Sequence, residues 1–282
     1  MRRADATRLV ALAALWGASF LFMRVAAPVL GPFIMADVRI LLAAGALGLY
    51  FRWIGFDSEW RRWWREYALI GLINTALPFA LYGYAAVRIP AGFLAVTNAT
   101  APIWGALLAT VVLRERPTAM RAGGLLLGIA GVALVTRAQA SLAYPPLAIA
   151  AALGGALCYA IAGVYLKQRA HQAPGRGMAF GTQLAAGILL LPFAALSHPL
   201  APVTPLAIAC TVAMALLSGA VAYVLYFRLI ADIGPIRSLT VTYLIPLFGV
   251  LFGALFLGEA LDASMLGGGA LIVLGTALVL RK

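Results

Sequence analysis

Residues 95–137 lie on residues 239–281 at an offset of 144 without a gap, and 14 of the 43 aligned positions are identical. A chain this rich in Ala, Leu and Gly matches itself by chance at roughly a tenth of positions, so the excess marks an internal repeat. The identities fall on the less interchangeable residues: Pro102/Pro246, Gly105/Gly249, Glu115/Glu259, Gly123/Gly267, Gly124/Gly268, Gly131/Gly275 and Arg137/Arg281. Further back, Leu81 and Tyr82 meet Leu225 and Tyr226 at the same offset.

What the repeat unit can be depends on the solvent it is built for. Hydrophobic residues make up 64% of the chain and charged residues 11%, against roughly a quarter charged in soluble domains. Ten apolar stretches are each long enough to cross about 30 Å of hydrocarbon as a helix. The first five run Leu9–Ala27, Phe33–Phe51, Tyr67–Val87, Ala91–Leu113 and Ala119–Val135; the second five run Leu147–Leu166, Met178–Leu196, Leu206–Phe227, Ser238–Leu257 and Ser264–Leu280. Spans 3 to 5 therefore correspond to spans 8 to 10, and the chain divides into repeats at residues 1–140 and 141–282. An odd number of crossings turns the second copy upside down. The expected fold is an all-α membrane protein of ten transmembrane helices in two inverted five-helix repeats, an arrangement typical of secondary transporters that bind substrate near the bilayer midplane. Spans 1 and 6 match only loosely, through ALWGASF at 14–20 and ALCYAI at 156–161.

The formal net charge of +12 could point to nucleic acid, but its placement points to a membrane. With the N-terminus taken as inside, 17 Lys and Arg fall on the inner side, three (Arg24, Arg88, Arg137) on the outer side, and Arg39 within span 2. This is the positive-inside pattern of a bacterial inner-membrane protein with both termini cytoplasmic. No nucleic-acid partner is expected; the partners are membrane lipid and a small-molecule substrate, with the chain a monomer or a homodimer. RRWWRE at 61–66 reads as an interfacial anchor, with a specific lipid site as the alternative. The charged start and apolar run of the first 27 residues have the form of a signal peptide, but the run is long and a second span follows at once, so it is retained as span 1. Cys158 and Cys210 lack any His or Cys at metal-ligand spacing, and neither a disulfide framework nor a metal site is expected.

Two stretches carry a family likeness. PLFGVLFGALFLGEALDASMLGGGALIVLGTALVL at 246–280 resembles the C-terminal EamA unit of the drug/metabolite transporter superfamily, and PIWGALLATVVLRERPTAMRAGGLLLGIAGVALV at 102–135 resembles its N-terminal unit, with Arg114 where Gly is usual. ALWGASFLFMRVA in span 1 and Arg39 in ADVRILLAA also fit. The resemblance covers essentially the whole chain and implies a metabolite exporter. By overall pattern rather than by a diagnostic motif, it looks most like the YddG-type aromatic amino acid exporters.

Candidate site residues follow from helical spacing. Asn74, Pro78 and Tyr82 form one stripe of span 3, and Ser218, Ala222 and Tyr226 stand at the equivalent places in span 8. In spans 4 and 9, Asn98 and Thr242 precede Pro102 and Pro246 by four residues, with Thr97 and Tyr243 as neighbours. Such groups can simply tie helices together. Alternatively they line a cavity in which Trp16, Tyr82, Trp104, Tyr159, Tyr223, Tyr226 and Tyr243 supply rings for an aromatic side chain, and Asn74, Thr97, Asn98, Ser218 and Thr242 meet its polar end. Pro102 and Pro246 read as hinges because a mid-helix proline removes a backbone hydrogen bond. Glu115 and Glu259 read as structural charges favoured ahead of spans 5 and 10, with a gating ion pair as the alternative. Glycines 124 and 128 permit close helix packing, as scaffold or as a dimer face.

Energy coupling and rival classes are constrained by what the sequence omits. It has no GxxxxGK[ST] loop and two lysines, which argues against ATP hydrolysis by this chain. Within the spans Asp37 stands as the candidate proton carrier, so facilitated diffusion is the expected mode and proton antiport its rival. Arg39, two residues on, is expected to brace neighbouring helices rather than to bind substrate. Anionic nucleotide-sugars would ask for further deep cations. His171 and His198 are isolated and assigned to opposite sides, so an enzyme is not expected, and no cofactor is called for. Export of drugs or of amphipathic, lipid-like solutes is the remaining alternative.

Overall fold

The computed structural model describes residues 3–280 except 113, 115–117, 142–143, 169–173, 235–237 and 239. Glu115 and His171 lie outside the described residues, and so do Arg2, Arg116, Arg169, Arg237, Arg281 and Lys282 of the charge count. Among the described residues the secondary structure is helical throughout. Helices α1 (Arg3–Leu30) and α2 (Pro32–Trp53) are separated by Gly31 alone. The next rod is composite: α3 (Trp60–Gly71), a π-helical stretch π1 (Leu72–Ala76) and α4 (Leu77–Ala86) run on without a break. It is followed by α5 (Ala91–Asn98), α6 (Ala101–Val112) and α7 (Ala119–Ser141). Then come α8 (Pro146–Gln168), α9 (Gly175–Ala195) and a second composite rod of α10 (Pro205–Ala213), π2 (Met214–Val221) and α11 (Ala222–Ile233). Helices α12 (Val241–Leu257) and α13 (Ala263–Leu280) complete the series.

Seven of these rods are long and apolar enough to cross a membrane, from Arg3–Leu30 to Pro205–Ile233, and three shorter apolar helices accompany them at Ala119–Val135, Val241–Leu257 and Ala263–Val279. Large apolar side chains such as Leu49, Leu126, Leu196 and Phe256 face outward from them. In water such a surface would be an association liability; against lipid tails it is the required one. The chain is therefore a multi-pass membrane protein.

The helices pack by a rule of exchange. Helix α1 lies against α12 and against the α10–π2–α11 rod; α8 lies against α5 and α6 and against the π1–α4 rod. Helix α2 meets α9 and π2, while α9 meets α2, α3 and π1; α5 meets α12, and α7 meets α13. The last pair is the closest. A Cβ at Gly124 would stand 2.7 Å from the Gly275 carbonyl oxygen, and one at Gly131 would stand 2.7 Å from that of Gly268. Backbone thus meets backbone at two places, and the 144 offset maps one contact onto the other; the small-residue stripe is used within the chain, as close helix contacts in lipid require.

Arg61–Glu66 of the RRWWRE run is helical and continues straight into the span. Two local expectations are corrected. Pro102 does not sit mid-helix: the break falls at Ala99–Thr100, and Pro102 occupies the first turn of α6, where its missing N–H has no intrahelical partner to lose. Glu259 does not serve the helix that follows it. Its two carboxylate oxygens accept the backbone N–H groups of Ala91 (2.7 Å) and Gly92 (3.0 Å), at the N-terminus of α5, where unsatisfied donors and the helix dipole favour an anion. Cys158 and Cys210 are free thiols, and His198 is exposed.

Candidate functional site

Both π-helical stretches turn their widened register toward the interior. A π turn inserts one residue into an α-helical rod and re-aims the side chains around it, which is why such turns recur at functional sites. Asn74 lies in π1 and Ser218 in π2, and the residues 72–76, shifted by 144, fall inside 214–221. Between the two rods is a cavity of about 270 Å³. Trp16, Ser19, Phe20 and Met23 of α1, Arg39 of α2, Asn74 of π1 and Phe79 and Tyr82 of α4 line one part of its wall; Tyr159 of α8, Gln183 of α9, Ser218 and Gly219 of π2, Tyr223 of α11 and Thr242 of α12 line another.

Eight of the twelve residues expected at a site share this cavity: Trp16, Asn74, Tyr82, Asn98, Tyr159, Ser218, Tyr223 and Thr242. The other four stand apart from its lining. Tyr226 packs behind it, its ring 5.4 Å from that of Trp16. Thr97 is buried and donates to the Leu94 carbonyl of its own helix (2.8 Å). Trp104 donates to the Thr100 hydroxyl (3.1 Å). Tyr243 is half-buried on α12. Pro102 lines the cavity, whereas Pro246 is buried within α12. Pro246 lies inside α12 and has no N–H to donate to the helix, whereas Pro102 stands in a first turn where none is needed.

Some of the lining groups are already engaged. The Ser218 hydroxyl donates to the Leu15 carbonyl (2.6 Å), and the Trp16 indole donates back to the Ser218 carbonyl (3.2 Å), so α1 and π2 are stitched together. Tyr82 donates to Asn98 Oδ1 (3.3 Å) and stacks on Tyr159 at 6.2 Å between ring centres. The rings of Phe20, Tyr82 and Tyr159 thus form one aromatic surface, and those of Trp16 and Tyr223, 6.2 Å apart, another.

Three polar residues at the cavity, Ser19, Gln183 and Arg39, were not among the expected site residues. Gln183 is buried and its amide donates to the Gly219 carbonyl (2.9 Å). Arg39, expected as a brace, is also buried, with its guanidinium carbon 4.0 Å from the centre of the Phe79 ring. Its equivalence was available in the sequence, since Gln183 stands 144 residues after Arg39. No periodic stripe of polar residues in span 2 or span 7 marks either one. Asp37 is 3% exposed, and its Oδ1 has no hydrogen-bond partner among the described residues.

A helical membrane protein with a ring-lined internal cavity has the build of a small-molecule carrier. The chain belongs to the EamA-like transporter family, whose pattern it matches twice, over residues 7–137 and 146–281. It is 25% identical over 282 residues to "Uncharacterized transporter YvbV" of Bacillus subtilis, covering 97% of this chain and 90% of that protein. It is 28% identical over 281 residues to "Probable terminal-alkyne amino-acid exporter" of Streptantibioticus cattleyicolor, covering 97% and 92%. A solved crystal structure shares the fold at a TM-score of 0.68 and 19% identity, over 99% of this chain and 96% of the other. The family and these relatives make the protein a transporter rather than an enzyme.

Proposed function

We propose that this transporter exports small metabolites, amino acids with aromatic side chains foremost, across a bacterial inner membrane. All ten apolar rods cross the bilayer in this reading, as two inverted five-helix repeats at residues 1–140 and 141–282, with both termini cytoplasmic. The exchange of helix partners between the halves supports it, since every principal contact recurs in its counterpart. The observation that carries the reading is the cavity itself, walled by rings from both halves and provided with the Asn74 and Asn98 amides. Such a slot buries an aromatic side chain and leaves hydrogen-bonding groups for the polar end. The name of the 28% identical relative adds an amino acid as cargo of a similar chain. Alternating access follows if the halves rock about the shared interface, with Pro102 and Pro246 as hinge points.

Counterflow of labelled aromatic and small amino acids into proteoliposomes tests this, repeated with Tyr82→Ala and Tyr226→Ala. Uptake of phenylalanine, tyrosine or tryptophan that falls in the variants supports the reading. Uptake of none of the amino acids assigns the cavity to drugs or to amphipathic, lipid-like solutes instead.

A second reading concerns coupling. Facilitated diffusion is the simpler mode, but a buried carboxylate oxygen without a partner is what a proton carrier in a membrane requires, and Asp37 provides one. If efflux responds to an imposed pH gradient and Asp37→Asn abolishes that response, the carrier is a proton antiporter.

A further inference from the structure

Arg24 of α1 and Arg39 of α2 are treated differently. Arg24 does what a bracing arginine does: its guanidinium donates to the Ala86 carbonyl (2.8 Å) and the Val87 carbonyl (3.1 Å) at the end of α4. Arg39 does not. It is 5% exposed, lines the cavity, and has neither a hydrogen bond nor an ion pair to any of the described residues. Phe79 faces it at 4.0 Å; the ring's quadrupole suits a cation but offers no acceptor oxygen to five N–H donors. Asp37 is two residues away on the same helix, a spacing that puts side chains on different faces. No Asp or Glu is among the cavity's described lining residues.

A buried guanidinium without a counter-charge is costly to hold, and a group kept at that cost in a binding cavity calls for an anion supplied from outside. We propose that Arg39 is the carboxylate-binding residue of this cavity, and that the transported class is small organic carboxylates with an apolar or aromatic body. This deepens the proposed function and rests on the same cavity. The planar fork of the guanidinium matches a carboxylate in two parallel hydrogen bonds, while Phe20, Tyr82 and Tyr159 take the body of the solute. An ammonium finds only neutral acceptors there, such as the Asn74 and Asn98 amides, and faces Arg39 as a like charge. An amine without a carboxylate is therefore excluded, which separates this class from cationic drugs. Gln183, at the 144 offset, shows what a neutral residue does at the matching place: it spends its amide on the Gly219 carbonyl.

The test uses the full-length purified protein, by thermal shift and by proteoliposome counterflow, with three probes: L-phenylalanine, 3-phenylpropanoate and phenethylamine. Wild type is expected to be stabilised by both carboxylates and not by the amine. Arg39→Gln should weaken both carboxylates about ten- to a hundredfold, and Arg39→Lys should retain part of the binding. The empty Arg39→Gln protein should be at least as heat-stable as wild type, because an unpaired buried charge has gone; a loss of stability marks a brace and overturns the proposal. Equal binding of phenylalanine by wild type and Arg39→Gln overturns it while leaving amino acid export standing, as does phenethylamine bound as tightly as phenylalanine. Binding of phenylpropanoate alone, lost in Arg39→Gln, removes the amino acid reading and keeps Arg39. Binding of none of the three by wild type sinks both.

Discussion

Asn74 and Ser218 stand 144 residues apart, each in a π-helical stretch and each at the cavity, and Arg39 and Gln183 are related by the same offset. The first pair keeps its polar character; the second sets a cation against a neutral amide. Geometry has been copied between the halves while charge has not. A cavity with two equivalent walls would hold a symmetric solute in two ways, whereas one cation on one wall gives a zwitterion or an anion a single orientation. The difference continues along the wall. Span 4 is broken at Ala99–Thr100 ahead of Pro102, while α12 runs through Pro246.

Six substitutions, in four tests, break or sharpen this comparison, taken from the largest expected effect. Gly124→Val and Gly268→Val occupy matching places in the α7–α13 contact and should be equally damaging, each by about 3 kcal/mol from overpacking; thermal unfolding of the two purified variants checks that they agree. Glu259→Gln removes the charge and one of two acceptors at the N-terminus of α5 and should cost about 1–2 kcal/mol, read as a lower unfolding temperature. Tyr82→Phe deletes the donor to Asn98 Oδ1 and should raise the transport KM about fivefold, near 1 kcal/mol, whereas Tyr226→Phe, behind the lining, should leave KM unchanged. Equal effects would show that the two tyrosines play equal roles after all. Arg114 has φ 54° and its counterpart Gly258 has φ 64°, so Arg114→Gly should relieve left-handed strain and add about 0.5–1 kcal/mol of stability.

The last of these was legible in the residues alone, since Arg114 stands where the related motif carries Gly. The apolar stretches and the 144 offset also gave the rods and two-thirds of the expected lining, because helix spacing of four fixes which residues share a face. Other features were not legible for definable reasons. A π turn costs one residue of register and leaves no period of its own, so 72–76 and 214–221 read as ordinary helix. The helix break moved to Ala99–Thr100 because proline is tolerated in a first turn, and its position in the sequence cannot say which turn it occupies. Nothing in the residues around Arg39 separates a brace from a binding group; only the partners found for Arg24, and missing for Arg39 among the described residues, do so. Glu259 serves a helix 168 residues earlier in the chain, a pairing that local charge rules do not reach.

Where α7 and α13 touch, main chain rests on main chain through Gly124, Gly131, Gly268 and Gly275. A contact of that kind has few rotamers with which to absorb displacement, so it yields less readily than one made by long side chains. If the halves rock as proposed, this pair is the natural axle, and the compliance would come from the rods that carry side chains.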